Sequence, residues 1–136
     1  MQAFQTAFRP SRLGLGIAVL LHSAALAVCL ICFYGTARPA GAAALLFSFA
    51  HACRTLALKR QDAVRRITVG PQGKAVLQFD GGRETPAVLQ PQSVVLRYAL
   101  FLVWDAGGKT VRQAVLPDMA DKAGWRRLTV WARWNG

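Results

Sequence analysis

The sequence predicts a membrane α+β protein with an N-terminal two-helix transmembrane hairpin, a small antiparallel β-sheet of about five strands and a C-terminal amphipathic helix. Residues 13–34 are apolar and carry no formal charge, and residues 41–58 form a second apolar segment. From residue 63 onward, apolar and polar residues alternate between turns rich in glycine and proline, which is typical of half-buried strands. A short amphipathic segment then closes the chain.

The first apolar segment is long enough to cross a bilayer as a helix. At about 1.5 Å per residue, residues 13–34 would reach roughly 33 Å, whereas the hydrocarbon core is about 30 Å thick. Small residues near Ala37 and Ala40 leave a cleaved signal peptide as an alternative. The apolar run is longer than a usual signal segment and a second one follows, which favours a retained anchor.

The second apolar segment, residues 41–58, contains Arg54 about one turn before its end, where the long side chain can reach the headgroups. The segment 1–12 before the hairpin contains two arginines, whereas the connecting turn 35–40 contains only Arg38. Further basic residues, expected at the membrane surface, follow the hairpin: Lys59, Arg60, Arg65 and Arg66. The positive-inside rule therefore predicts a periplasmic turn and both termini in the cytoplasm.

A re-entrant or interfacial second segment is the alternative to two spans. It would place the remaining chain, residues 59–136, on the other side of the membrane. The two-span arrangement is preferred because basic residues flank both ends of the hairpin.

The predicted cytoplasmic domain, residues 59–136, begins with strands at 64–69 and 74–79, joined by a turn containing Gly70 and Gly73. Residues 84–90 form a weaker strand, placed at an edge because prolines interrupt it. The strongest strand candidate is 93–105. A turn at Gly107 and Gly108 then leads into a last strand at 109–116.

A helix is predicted at 119–134, with Asp118 as its N-cap and Asp121 in its first turn. At helical spacing, Trp125, Leu128, Trp131 and Ala132 lie on one side, and Arg126, Thr129 and Arg133 lie on another. One interpretation packs the tryptophans on the sheet and leaves the arginines solvated. The other makes Trp125, Arg126, Arg127 and Arg133 a binding surface for an acidic partner, since Trp and Arg are enriched at interfaces.

The net charge of +11, from 17 Lys+Arg and 6 Asp+Glu, indicates which classes of partner the chain can attract. Nucleic acid, anionic lipid and acidic proteins all attract such a chain. The basic residues are dispersed and no nucleic-acid motif is present, so nucleic acid is not expected as a partner. Anionic inner-membrane lipid is expected, because the hairpin holds the basic residues beside the headgroups.

Polar residues within the apolar segments are the candidates for chemistry: His22, His51 and Arg54. An ionisable group inside a membrane is a functional hypothesis by default, but hydrogen bonding between helices is the preferred role for His22. Cys29 and Cys32 have the spacing of a redox pair, yet they lie in an apolar span where thiolates are disfavoured. Neither catalysis nor a cofactor is expected, and no third ligand suggests a metal site.

Four stretches resemble a known family: Pro10-Ser11-Arg12, Leu20-Leu21-His22, Cys53-Arg54, and the tail in which Leu116-Pro117-Asp118-Met119 precedes Trp125-Arg126-Arg127-Leu128. Their order and spacing resemble the YgfX family, also called CptA, of small bacterial inner-membrane proteins. The match extends over nearly the whole chain.

The resemblance implies a non-enzymatic, toxin-like regulator anchored in the bacterial inner membrane. It implies action on the cytoskeletal proteins FtsZ and MreB, and so on cell division and shape. The family's usual partner is a small soluble protein, SdhE, which assists flavin attachment to succinate dehydrogenase. A role in assembly or quality control of that respiratory complex is therefore the alternative function.

Overall fold

A computed structural model describes residues 3–135; Met1, Gln2 and Gly136, which belong to the predicted segments 1–12 and 59–136, lie outside the described residues. The helices are α1 (Arg12–Cys32), α2 (Ala37–Leu56) and α3 (Lys122–Asn135). The strands are β1 (Phe4–Ala7), β2 (Val64–Val69), β3 (Ala75–Phe79), β4 (Glu84–Leu89), β5 (Val94–Val95), β6 (Leu100–Ala106) and β7 (Lys109–Val115).

The two N-terminal helices pack against each other along their length. Helix α1 begins after Ser11, whose hydroxyl accepts a hydrogen bond from the Gly14 N–H at 2.8 Å. Helix α2 begins at Ala37, four residues before the predicted start. The prediction assigned Pro39 to the turn, but a proline in the first helical turn loses no hydrogen bond, because those N–H groups have no partner inside the helix.

Helix α2 ends at Leu56, two residues before the predicted boundary. Leu58 adopts a left-handed backbone conformation, with φ of 55°. The Lys59 N–H then bonds to the Arg54 carbonyl at 3.0 Å, and the Leu58 N–H bonds to the Thr55 carbonyl at 3.2 Å. This is the Schellman ending, usually made by glycine, and burial of the Leu58 side chain offsets the strain.

Among the described residues, only α1 is long and apolar enough to cross a membrane. The prediction of two spans is therefore not supported by length and composition. Helix α2 has 20 residues but includes Arg38, His51 and Arg54, which lower its hydropathy. The hairpin exists as a packed helix pair in which one member qualifies as a span.

Within residues 3–135 the sheet is antiparallel and curled, with seven strands rather than about five. Its order is β1-β2-β3-β4-β6, with β5 and β7 both pairing with β6. The prediction that residues 84–90 lie at an edge is wrong, since β4 pairs with β3 and β6. Pro86 is tolerated because β4 meets β6 only at Val88 and Leu89, leaving the Pro86 end paired on one side.

The prediction of one long strand at 93–105 is also wrong. The chain bends at Arg97 and Tyr98, the Leu96 N–H bonds to the Ala99 carbonyl at 2.9 Å, and β5 folds back on β6. Neither glycine nor proline marks this bend, so the apolar, β-branched composition indicated an uninterrupted strand.

Strand β1 was not predicted and changes the role of the N-terminus. Phe4 and Thr6 are buried, and Phe4–Ala7 pair with Arg66–Val69 of β2. The segment before the apolar helix is thus part of the sheet. Cleavage after α1, as a signal peptide would require, would remove a strand from the folded domain.

The C-terminal helix begins later than predicted. Pro117–Met119 form a 3₁₀ turn, and α3 starts at Lys122. Asp121, rather than Asp118, caps α3 by accepting from the Gly124 N–H at 3.2 Å. The apolar face was predicted correctly, since Leu128, Trp131 and Ala132 are buried. We call the seven strands with α3 the β-domain.

Candidate functional site

The outer face of α3 carries the three arginines predicted to bind a partner. Arg126, Arg127 and Arg133 are exposed, and the ion pairs among the described residues do not include them. Val130 and Trp134, which are 50% and 80% exposed, lie between them on the helix surface. These five residues are called the α3 outer face. Exposed apolar groups beside unpaired arginines are typical of protein interfaces.

Trp125, the fourth predicted binding residue, does not belong to the α3 outer face. It is half-buried and packs against the core of the β-domain. Trp131 is buried deeper, stacked on Trp104 with ring centroids 5.9 Å apart. Trp125 and Trp131 therefore pack inward and the arginines are open to solvent, as the first interpretation predicted. Binding of a partner by the arginines stays a prediction.

The four predicted membrane-surface residues differ in their surroundings. Lys59 and Arg66 are exposed. Arg60 pairs with Asp62 at 3.2 Å and Arg65 pairs with Asp80 at 3.6 Å. Arg65 is also half-buried, beside the register shift between β2 and β3. Two of the four charges are thus engaged within the protein.

His22 links the two N-terminal helices. Its Nδ1 lies 2.8 Å from the Ala18 carbonyl and its Nε2 lies 3.1 Å from the Ser48 hydroxyl on α2. A carbonyl only accepts, so Nδ1 bears the proton, and in the neutral ring Nε2 accepts from Ser48. The ring also contacts Phe49, with centroids 5.3 Å apart. This is the interhelical hydrogen bonding that the sequence favoured.

We expect Ser48→Ala to weaken the α1–α2 pairing by about 0.5–1.5 kcal/mol, the usual net contribution of one hydrogen bond to stability. Unfolding of the full chain in mild detergent measures the change. Thr55→Ala is the control, because the Thr55 hydroxyl bonds within α2 to the His51 carbonyl. Loss of biological activity in His22→Ala with normal membrane insertion would instead indicate chemistry at this histidine.

The remaining polar residues of the helix pair are not brought together. His51 and Arg54 are exposed on α2. Cys29 is buried against Gly41, where an added Cβ would lie 2.7 Å from its Sγ, and Cys32 is exposed. Residues 3–135 contain no cluster of three His, Cys, Asp or Glu side chains able to hold a metal.

Sequence reasoning missed the junction between the helix pair and the β-domain. The Asp118 carboxylate accepts from the Ser11 hydroxyl at 2.8 Å and from the Leu13 N–H at 2.8 Å. Its negative charge lies at the positive N-terminal end of α1, an arrangement that stabilises the helix. Asp118 therefore caps α1 across more than a hundred residues of sequence, rather than the helix that follows it.

Further hydrogen bonds tie the same junction to the chain before α1. The Arg9 side chain donates from Nε to the Asp118 carbonyl, and the Arg9 backbone N–H donates to the Met119 carbonyl, both at 2.8 Å. The Ser11 N–H bonds to the Leu56 carbonyl at 3.1 Å, which places the start of α1 beside the end of α2. We call this set of contacts the junction.

Gly14 lies at the junction in a space too small for a side chain. A Cβ there would lie 2.8 Å from Leu56 and 2.9 Å from Leu116. The stretches Pro10-Ser11-Arg12 and Leu116-Pro117-Asp118-Met119 meet at the junction. The presence of both stretches was the only feature of the sequence that could have indicated the junction.

Comparison with known protein families identifies a match over nearly the whole chain. A family model described as "membrane-bound toxin component of toxin-antitoxin system" matches residues 2–136. Neither a curated protein nor a solved structure matches the chain.

Proposed function

Because the chain belongs to the CptA family of membrane-bound toxin components of toxin–antitoxin systems, we propose that it acts as a membrane-anchored inhibitor that binds other proteins and catalyses no reaction. The observation that carries the proposal is the junction. Asp118, Arg9 and Ser11 hold the β-domain directly on the end of an apolar helix. A domain held in this way presents a constant surface to proteins at the membrane.

We further propose that both α1 and α2 lie in the bilayer, with the β-domain and both termini on the cytoplasmic side of the inner membrane. The start of α1 and the end of α2 are neighbours, since the Ser11 N–H bonds to the Leu56 carbonyl. If α1 crosses the bilayer, the helix packed along it must lie at the same depth. Arg54 is in the last turn of α2, where it can reach the headgroups.

The proposed inhibitory surface is the α3 outer face, and the proposed targets are FtsZ and MreB. A small SdhE-like protein is the proposed partner. The exposed Trp134 and Val130 supply apolar area, and the three arginines supply charge for an acidic surface. Anionic lipid is a further proposed contact for Lys59 and Arg66, which have no ion pair among the described residues.

We expect the double variant Arg126→Glu/Arg127→Glu to lose the growth inhibition that follows induced expression of the full chain. Charge reversal replaces attraction to an acidic partner with repulsion, which costs several kcal/mol at an interface. Growth rate and cell shape are measured at matched amounts of membrane-inserted protein. Arg83→Glu/Arg97→Glu is the control, because it makes the same charge change at exposed residues that lie in loops away from α3. Inhibition that persists in the α3 variant would refute this surface.

A pull-down with the full chain as bait, in mild detergent, distinguishes the proposed function from the alternative. FtsZ and MreB retained by the wild-type chain, and lost with Arg126→Glu/Arg127→Glu, would support the inhibitor. Succinate dehydrogenase subunits retained instead would support a role in assembly or quality control. Reporter fusions at the two termini test the topology, and a periplasmic C-terminus would exclude every cytoplasmic partner.

A further inference from the structure

A groove of about 460 Å³ runs between β7 and the segment that joins α2 to β2. One wall consists of Thr55, Leu58, Arg60, Asp62, Ala63 and Val64. The other consists of Thr110, Arg112, Gln113 and Ala114. No residue of β6 contributes to either wall, so the groove follows the edge of β7 rather than the face of the sheet.

Among residues 3–135, the edge of β7 that faces this groove is unpaired, since β7 pairs only with β6. The turn Gly107-Gly108 connects β6 and β7, so Ala106 and Lys109 form the hydrogen-bonded pair next to the turn. Alternation then directs the N–H and C=O groups of Thr110, Arg112 and Ala114 away from β6. These three residues line the groove. Because no strand among the described residues pairs with this edge, their backbone groups can pair with a strand that enters the groove.

Gln113 provides a second, independent observation. Its Oε1 accepts from the Trp104 indole N–H at 3.3 Å, and since an indole N–H can only donate, this contact sets the orientation of the amide. The side chain is 8% exposed, and its Nε2 is buried without an acceptor among the described residues. A buried donor left unpaired destabilises the folded state, because its hydration is lost without a hydrogen bond in return. The groove wall thus contains a buried amide donor without a partner among the described residues.

The charges of the groove favour an acidic segment over a second copy of this chain as the occupant. Asp62 is already paired with Arg60 at 3.2 Å, whereas Arg112 is exposed and has no ion pair among the described residues. A second copy of this chain, paired antiparallel about Arg112, would set the two Arg112 side chains directly opposite each other, and like charges in that position destabilise strand pairing. An acidic segment meets no such repulsion.

We propose that the β7 groove binds an extended acidic segment of a partner protein, which adds to the sheet as a strand beside β7. Main-chain hydrogen bonds to Thr110, Arg112 and Ala114 give affinity in this binding mode, and side-chain contacts give selectivity. At about 3.4 Å per residue, a segment of roughly five residues covers the edge from Thr110 to Ala114. Acidic side chains pair with Arg112. The groove is a different surface from the α3 outer face and does not depend on it.

The test uses the full chain in nanodiscs of uncharged phosphatidylcholine and a labelled peptide, acetyl-Thr-Val-Glu-Val-Glu-Val-Thr-amide. We expect saturable binding, with protection from hydrogen exchange at the amides of residues 110, 112 and 114. Ala114→Pro removes one groove-facing N–H while the β6 pairing remains, and it should weaken binding at least tenfold. Arg112→Glu should weaken binding by a similar factor. Peptide with N-methyl groups on alternate amides should not bind.

Arg97→Glu is the matched control, because it makes the same charge change as Arg112→Glu at an exposed residue outside the groove and outside the α3 outer face, and it should bind the peptide with unchanged affinity. Loss of binding in this control, or no saturation at millimolar peptide, would overturn the proposal. Binding unchanged by Ala114→Pro, with the variant folded by thermal unfolding, would also overturn it. Protection of residues 110–114 by anionic phosphatidylglycerol nanodiscs without peptide would assign the groove to lipid instead. Growth inhibition is a separate readout, so failure here leaves the proposed function standing.

Discussion

Replacement of Trp131 with alanine is expected to lower the free energy of unfolding of the β-domain by about 3–5 kcal/mol. Trp131 is 2% exposed, stacks on Trp104 and meets the edge of Phe4, with ring centroids 6.5 Å apart. Truncation removes this packing of α3 against β1 and β6 and leaves a cavity that the surrounding strands cannot close. Thermal and denaturant unfolding of the full chain in detergent micelles measure the loss.

Two further variants distinguish packing from a general effect of tryptophan loss. Trp134→Ala, on the same helix, removes a side chain that is 80% exposed, and should change the free energy of unfolding by no more than about 0.5 kcal/mol. Trp131→Phe should cost less than Trp131→Ala, since it keeps an aromatic ring and removes an indole N–H that is buried without an acceptor. Equal effects of Trp131→Ala and Trp134→Ala would contradict the assigned core.

Asp118→Ala is expected to destabilise the protein by about 2–3 kcal/mol and to loosen the start of α1. The substitution removes the acceptor for the Ser11 hydroxyl and the Leu13 N–H, and hydrogen bonds to a charged group contribute about 1.5–3 kcal/mol. Hydrogen exchange of the amides from residue 8 to residue 15 should quicken. Asp118→Asn should have an intermediate effect, because it retains one acceptor oxygen without the charge.

Asp105→Ala is the control for the Asp118 variant. It makes the same charge change, but Asp105 accepts one hydrogen bond, from the Gly108 N–H, in an exposed turn. We expect a loss of about 1 kcal/mol or less and no change in exchange near Ser11. If Asp118→Ala left exchange at the start of α1 unchanged, the cap across the junction would not contribute to holding the β-domain on the helix.

Features that depend on neighbouring residues in the chain were predictable. The uncharged apolar run required a helix over most of residues 13–34, and α1 follows it closely. Alternation placed β2, β3 and β7 correctly within a residue or two. The spacing of Leu128, Trp131 and Ala132 predicted the buried face of the last helix, and the remaining residues identified the exposed arginines on its outer face.

Features that depend on distant contacts were mispredicted or missed. Strand β1 is short and has an ordinary composition, and it is a strand because β2 offers an unpaired edge. Residues 93–105 have the composition of one strand, yet β5 and β6 are separated by a bend that only their pairing stabilises. Asp118 satisfies the usual pattern for capping the next helix, but its carboxylate meets the start of α1.

Taken alone, the sequence determined that this protein has an apolar anchor, a basic antiparallel β-domain and an amphipathic last helix, because hydrophobic periodicity and charge are local properties. It also pointed to the family. Only the tertiary structure decided where the anchor meets the domain and that, within residues 3–135, the edge of β7 is free. A cap such as Asp118 on α1 and an unpaired edge such as β7 arise from which distant groups are brought together, and no local pattern encodes that choice.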